Sequence, residues 1–269
     1  MEPSFPVAMM SRDARLLFLG CSTSVGVPVI GCQCQVCHSS DPRDHRTRSS
    51  IFLEGDFGKV LVDSGPDLHQ QAIREGLSAV DAVLYTHGHV DHVAGFDELR
   101  AFCWHRKEPL PLYASPGTIT ILHGMFPWAF AAEGTASGYV KARPVPFEGP
   151  FQIRSLQITP IPVSHGAVET HGFLFEHQQR RIAYLSDVKT IPECSLPHLE
   201  NLDVLIIDAL RPEPHPTHLS LSESLEIIRK CRPRSAYLTH LGHELAWEET
   251  NSALPPHVHV AYDGLVLPL

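Results

Sequence analysis

The chain has 269 residues, of which 43% are hydrophobic and 19% are charged, so it can bury a large core and is not a charge-rich disordered protein. Its net charge of −9 weighs against a broad basic surface for a nucleic-acid backbone. The chain has 23 prolines in 269 residues, which exceeds the usual frequency of about 5%. This proline content favours many short strands and turns over a helical bundle.

The N-terminal residues lack the pattern of a secretory signal. Glu2 stands where such a signal carries positive charge, and no apolar stretch of about 7–15 residues follows it. No run approaches the roughly 18 apolar residues of a membrane helix. We expect residues 1–14 to be a tail, with Met10 as an alternative start to Met1. Seven cysteines, three of them clustered, do not suggest a disulfide framework, so we expect a cytoplasmic protein that does not bind membranes.

Apolar runs separated by turn residues predict a mixed α/β fold in one domain over residues 15–269. In the first half, strands are predicted at residues 15–19, 50–54, 59–62 and 82–85, and helices at 67–75 and after the Ser115-Pro116 cap. In the second half, strands are predicted at 156–163, 172–175, 181–185, 204–207, 236–238, 257–261 and 265–267. A capping box at Ser220 and Glu223 predicts a helix that continues to residue 230.

Four of the predicted strands run into a side chain that can bind a metal. These side chains are His87, His165, Asp187 and His240. Metal sites on sheet folds are commonly built from loops at one rim, so we expect the four side chains to converge there.

The densest group of such side chains is His87-Gly88-His89-Val90-Asp91-His92, an H-x-H-x-D-H pattern directly after a strand. Neutral imidazoles suit zinc and other first-row divalent metals, and a carboxylate adds charge neutralisation. A tight loop can point His87 and His89 at one ion, whereas Asp91 and His92, at the next helix start, can reach a second ion. Three histidines and one aspartate within six residues outweigh the alternative of solvated loop histidines.

Two such ions, about 3.5–4 Å apart, would share a bridging water. Asp187 suits a position between them because a carboxylate has two oxygens. His165 and His240 would then complete the two sets of ligands.

These motifs resemble those of the metallo-β-lactamase-fold hydrolases, and the resemblance extends from Leu16 to Leu267. It implies an αββα sandwich with a dinuclear metal site at one sheet edge. It also implies a supporting role for Asp63, which would help to hold the loop that carries the ligands. The alternative is that Asp63 only begins a turn. The implied ligands are His87, His89 and His165 for one metal, Asp91, His92 and His240 for the other, and Asp187 between them.

A second cluster, Cys32-Gln33-Cys34-Gln35-Val36-Cys37, places three thiols in a Gly- and Gln-rich loop that makes a poor core. Three thiolates this close favour a soft metal with a fourth ligand. The cluster resembles that of the PhnP-type cyclic phosphodiesterases. The resemblance implies a structural zinc on an inserted loop at about residues 31–48, with His243 as fourth ligand. His38 and His45 are the alternatives for that position.

The same resemblance marks His218 as an active-site histidine that binds the substrate phosphate or protonates the departing alkoxide. Together with Asp91 it is a predicted catalytic residue. The implied enzyme is a metal-dependent phosphodiesterase with two zinc or manganese ions, in which a metal-bridging hydroxide attacks a small, cyclic phosphodiester. A homodimer is expected from the resemblance alone.

Other functions fit the same ligands. A lactonase, thioesterase or β-lactamase would use the same dinuclear site. A non-hydrolytic protein of the pyrroloquinoline quinone pathway carries a similar cysteine cluster, but the complete H-x-H-x-D-H motif and Asp187 favour an active hydrolase. A tRNA-processing nuclease of this fold is disfavoured by the net charge of −9.

Overall fold

The computed structural model describes residues 14–130 and 140–269, which form two mixed β-sheets flanked by helices. The predicted tail therefore lies outside the described residues, except for Ala14. The strands are β1 (Arg15–Gly20), β2 (Ser50–Gly55), β3 (Gly58–Val62), β4 (Ala82–Leu84), β5 (Leu110–Ala114), β6 (Ala142–Pro146), β7 (Phe151–Ile153), β8 (Leu156–His165), β9 (Val168–His177), β10 (Arg180–Leu185), β11 (Val204–Asp208), β12 (Ser235–Thr239), β13 (Val258–Val260) and β14 (Val266–Pro268).

Within the described ranges each sheet has seven strands, and each is half antiparallel and half parallel. The first has the order β14-β1-β2-β3-β4-β5-β6 and the second β13-β12-β11-β10-β9-β8-β7. In the first sheet β3, β4, β5 and β6 run parallel, and in the second β10, β11, β12 and β13 do. Parallel strands end at the same edge, so each sheet gathers the residues that follow several of its strands.

The helices flank the sheets, and two of them begin at a side-chain cap. The helices are α1 (Leu68–Arg74), α2 (Val90–Val93), α3 (Arg100–Cys103), α4 (Pro116–Met125), α5 (Leu221–Cys231) and α6 (Trp247–Ala253). The Ser115 hydroxyl accepts the Thr118 N–H at the start of α4, and Ser220 and Glu223 form the predicted capping box of α5. None of the helices in the described ranges is both long and apolar enough to cross a bilayer.

Two hydrophobic cores hold these layers together. The larger one joins residues of the first sheet, such as Phe18 and Val62, to residues of the second, such as Phe173 and Leu205. The smaller one packs the outer face of the first sheet, including Leu61, against α1 and α4. This is the predicted αββα sandwich in one domain.

The predicted strands and the helices at α1, α4 and α5 are confirmed, with ends that differ by a few residues. The structure adds strands β5, β6 and β7, the short helix α3, and α6, which were not predicted, and it forms α2 where a helix start was expected at Asp91 and His92. It also adds 3₁₀ turns at Pro42–Asp44, Phe96–Leu99, Pro127–Phe130 and Glu193–Leu199.

Candidate metal centre

The predicted metal-binding residues meet at the carboxyl ends of strands from both sheets. Strand β4 leads into His87, β10 into Asp187 and β12 into His240. His165 is the last residue of β8, which has the same direction as β10 because both are antiparallel to β9. The sandwich therefore brings together residues that are up to about 150 positions apart in the chain.

One group of imidazole nitrogens comes from His87, His89 and His165. Nδ1 of His89 lies 2.9 Å from Nε2 of His87 and 3.2 Å from Nε2 of His165. Ligands at 2.0–2.1 Å from a tetrahedral zinc ion lie roughly 3.3 Å from one another, so this spacing matches a shared cation.

In His87 and His165, the ring nitrogen that faces away from this group is hydrogen-bonded. Nδ1 of His165 donates to the backbone oxygen of Thr217 at 2.9 Å. Nδ1 of His87 lies 3.0 Å from the hydroxyl of Thr86, which itself donates to Asp63 and so accepts from His87. With Nδ1 protonated, each Nε2 presents a lone pair to the cluster, which is the tautomer that a metal ion requires.

A second group surrounds Asp187. Its Oδ2 lies 3.2 Å from Nε2 of His92, and its Oδ1 lies 3.4 Å from Nε2 of His240 and 3.9 Å from Nε2 of His165. Asp91 contributes Oδ2 at 3.3 Å from the same nitrogen of His92. Asp187 thus lies between the two groups, as the resemblance implied.

The chemistry of this second group also fits a divalent cation. Within the described residues, the buried Nε2 of His92 and Oδ2 of Asp187 form no hydrogen bond. Burial lowers the pKa of His240 in this group to about 4 and, in the first group, lowers the pKa of His87 well below its ordinary value, so both rings are neutral near pH 7. Burial would also lower the pKa of His92, but the carboxylates of Asp187, Asp63 and Asp91 raise it overall, so a bound cation would take the place of a proton there. Neutral imidazoles and ionised carboxylates are the forms that bind metals.

The cysteine cluster converges on His243. Nδ1 of His243 lies 3.2 Å from Sγ of Cys32, 3.4 Å from Sγ of Cys34 and 3.6 Å from Sγ of Cys37. The N–H of Cys37 points at Sγ of Cys34 and, as the main cause, lowers the pKa of that thiol to about 6. His45, an alternative fourth ligand, instead has its Nε2 3.0 Å from the backbone oxygen of Ser39.

The predicted active-site histidine, His218, is 9% exposed and lies beside the cluster, with its ring centroid 4.6 Å from that of His165 and 4.7 Å from that of His240. Its Nδ1 is 2.7 Å from Oδ2 of Asp208. Burial raises the pKa of Asp208 and lowers that of His218. The sequence had indicated Asp208 only as the end of a strand.

The cluster forms the floor of an open cavity of about 290 Å³. The lining residues are Ser24, His89, Val90, Asp91, His165, Asp187, Thr217, His218 and His240. Residues 104–109 and the described part of 123–143 do not line this cavity. In the second of these ranges Phe126 is buried and stacks on Phe96, so it belongs to a local core, and residues 131–139 lie outside the described residues.

Sequence reasoning missed one residue that joins the two centres. Arg46 is 1% exposed, and its guanidinium donates to the backbone oxygens of Gly242 and Leu245 as well as to Oδ1 of Asp44. It thereby ties the cysteine loop to residues 242–245, the segment that contains His243. Nothing in the local sequence marks this link, because Gly242 and Leu245 are about 200 positions away.

Comparisons with known proteins agree with this arrangement. Residues 59–241 match the model of the beta-lactamase superfamily domain. The solved structure of a diphosphatase from the PhnP family is 39% identical, with a TM-score of 0.88, and the alignment covers 97% of this chain and 98% of that one.

Two curated relatives carry other names. The chain is 35% identical over 255 residues to an octanoyltransferase of Porphyromonas gingivalis. That alignment covers 93% of this chain but only 51% of the octanoyltransferase. It is 29% identical over 223 residues to coenzyme PQQ synthesis protein B of Methylorubrum populi, and this alignment covers 72% of both proteins. This chain thus spans about half the length of the octanoyltransferase. By the domain match and the likeness to the diphosphatase, the chain belongs to the beta-lactamase superfamily and, within it, to the PhnP family.

Proposed function

We propose that this protein is a metal-dependent phosphodiesterase that acts on small, including cyclic, phosphodiesters. The observation that carries the proposal is the combination of two converging ligand groups with His218 at the same cavity. A cavity of about 290 Å³ is at the lower end of small-molecule pockets, which favours a compact substrate. The net charge of −9 also disfavours a nucleic-acid polymer.

In this proposal His87, His89 and His165 hold one divalent ion, and Asp91, His92 and His240 hold the other. Asp187, which lies between the two groups, would serve both ions. When bound, such ions acidify water to give a nucleophile near neutral pH and neutralise the charge on phosphoryl oxygens. The ligand types accept zinc or manganese.

His218 acts on the substrate. Its Nδ1 is occupied by Asp208, so Nε2 is the nitrogen available to the cavity. As the P–O bond to the leaving group breaks, the departing oxygen needs a proton. His218 supplies it from Nε2 when its ring is protonated on both nitrogens, and the ring is left neutral with its remaining proton on Nδ1 towards Asp208. A positioned acid of this kind contributes about 10²–10⁴-fold to the rate.

The cysteine cluster has a structural role in the proposal. Cys32, Cys34, Cys37 and His243 form a closed Cys₃His set for one zinc ion, which leaves no open position for substrate. The zinc would fix the loop at residues 31–48 to the segment after His240. Thiolate ligands need a reducing compartment, which fits the predicted cytoplasmic location. That location, like the homodimer, stays a prediction.

The relatives suggest which substrates to compare. The PhnP-family neighbour is named a diphosphatase, so diphosphate-linked compounds are the second class of phosphoryl substrate. The names octanoyltransferase and coenzyme PQQ synthesis protein B suggest acyl chemistry or a cofactor pathway instead. The complete set of ligands in this chain favours hydrolysis over a binding role.

The proposal is tested by steady-state hydrolysis with manganese- or zinc-loaded protein. The phosphoryl substrates are bis(p-nitrophenyl) phosphate, a 2′,3′-cyclic nucleotide, a dinucleoside diphosphate and p-nitrophenyl phosphate. A lactone, a thioester and a β-lactam form the comparison set. The His218→Ala variant is assayed alongside, with His257→Ala, an exposed histidine remote from the cavity, as its control.

We expect turnover of the diesters with little turnover of the monoester. His218→Ala should lower the diester rate by about 10²–10⁴-fold at unchanged metal content, and His257→Ala should leave it unchanged. Turnover of the lactone, thioester or β-lactam, without turnover of any diester, would overturn the substrate class.

A further inference from the structure

Asp208 is a buried carboxylate that lies beside the candidate metal centre without belonging to it. It is the last residue of β11 and has no exposed surface. Among the described residues, it is in none of the clusters whose ligand atoms converge. Its Oδ2 accepts hydrogen bonds from Nδ1 of His218 at 2.7 Å and from the N–H of Val188 at 3.0 Å.

Asp208 and His218 lie in different kinds of backbone, the first in a strand and the second in a connecting segment. Asp208 ends a strand between two parallel neighbours, and the hydroxyl of Ser224 in α5 donates to its backbone oxygen. His218 lies in the connection between β11 and α5, where the N–H of Leu210 donates to the oxygen of Leu219. Asp208, held by its strand, can therefore orient the side chain of His218 in the connecting segment.

We propose that Asp208 is a positioning residue, which holds the His218 ring with Nδ1 turned inward so that Nε2 faces the cavity. This inference rests on the proposed function, because it assigns Asp208 a role through His218. A carboxylate that fixes one nitrogen of an imidazole determines both the ring orientation and the nitrogen left for chemistry. Asp208 does not itself touch the substrate.

A double-mutant cycle on diester hydrolysis tests the coupling. Asp208→Ala should lower the diester rate about 10- to 100-fold in the wild-type background, the size of loss seen when the carboxylate partner of a metal-bound histidine is removed. In the His218→Ala background it should cause no further loss, because the group that it positions is absent. If Asp208→Ala lowered the rate by the same factor in both backgrounds, a purely structural role would replace the proposal.

A second readout does not depend on turnover. Long-range ¹H–¹⁵N NMR spectra of zinc-loaded protein report which ring nitrogen of a histidine carries the proton, and the His218 signals are identified by their loss in His218→Ala. We expect Asp208→Ala and the isosteric Asp208→Asn, which is the safer variant for folding, to change the signals of both ring nitrogens. Unchanged His218 signals in these variants would overturn the proposal.

Asp203→Asn is the matched control for both measurements. Asp203 precedes β11, accepts the N–H of Arg181 at 2.9 Å and pairs with Arg234, so the variant removes a carboxylate from the opposite end of the same strand. We expect it to leave the His218 signals unchanged. If wild-type protein hydrolyses no diester, the proposed function fails, but the NMR comparison still decides whether Asp208 orients His218.

Discussion

Oδ2 of Asp63 lies 2.7 Å from Nδ1 of His92, and neither side chain has any exposed surface. Asp63 also accepts the N–H of Thr86 at 2.9 Å and its hydroxyl at 2.8 Å. These contacts join the residue after β3 to both ends of the H-x-H-x-D-H loop. They favour the loop-holding role of Asp63 over a role in the turn alone, and they direct Nε2 of His92 towards Asp187.

Replacing Asp63 should therefore weaken metal binding without removing a ligand. We expect Asp63→Ala to lower the affinity for catalytic metal about 10- to 100-fold, because the His92 ring loses the partner that orients it. Competition with a chromogenic chelator measures this affinity. Asp56→Ala is the control, since Asp56 is exposed and pairs with His177 away from the centre. Equal affinities in wild-type protein and Asp63→Ala would show that Asp63 serves only the turn.

Asp187→Ala should abolish diester hydrolysis and lower the content of catalytic metal. The reason is its position between the two ligand groups, with Oδ2 near His92 and Oδ1 near His240 and His165. Metal content by mass spectrometry and diester turnover are measured on the same sample. Wild-type activity in this variant would rule out a bridging role.

Cys34→Ala should lose about one zinc per chain and destabilise the fold, because a Cys₃His zinc site requires all four ligands. Zinc content and thermal unfolding are the measurements. Cys194→Ala, which changes an exposed cysteine outside the cluster, should keep the zinc and the melting temperature. Unchanged zinc in Cys34→Ala would mean that the cysteines serve another purpose.

Arg46→Met should lower the free energy of unfolding by about 3–5 kcal/mol, since it leaves the buried carboxylate of Asp44 unpaired. Urea unfolding of zinc-saturated protein measures the change. In the control Arg234→Met, the arginine side chain is 86% exposed and its ion pair with Asp203 contributes at most about 1 kcal/mol. A loss below about 1 kcal/mol for Arg46→Met would contradict the proposed link between the cysteine loop and the residues after Gly242.

The sequence indicates the candidate centre most directly where the chemistry is local. His87, His89, Asp91 and His92 fall within six residues after a strand, and this density is visible without a structure. Distant members such as Asp187 could be predicted because each also follows a predicted strand. The parallel ends of β10, β11 and β12 then bring these positions to one edge.

Other parts of the molecule could not be predicted because their roles depend on distant partners. The position of Asp208 at a strand end carries no sign that His218 will contact it. Arg46 looks like any loop arginine until its carbonyl partners, about 200 residues away, are placed beside it.

Strands β5 and β6 were missed for a different reason. Proline lacks the N–H that a central strand uses, so Pro111 in β5 and the prolines Pro144 and Pro146 in β6 argue against strands. The structure explains how they are tolerated. Strand β6 is the edge of its sheet within the described residues, and Pro111 is close to the start of β5.

The most direct test of a dinuclear metallohydrolase is to return manganese, in measured equivalents, to protein whose catalytic ions have been removed by chelation, while following diester hydrolysis. The retained zinc content shows that the cysteine site is intact. We predict no hydrolysis in the metal-free protein, a rise through the second equivalent and a plateau beyond it. Full activity without added metal, or a plateau after one equivalent, would contradict the two-ion site around Asp187.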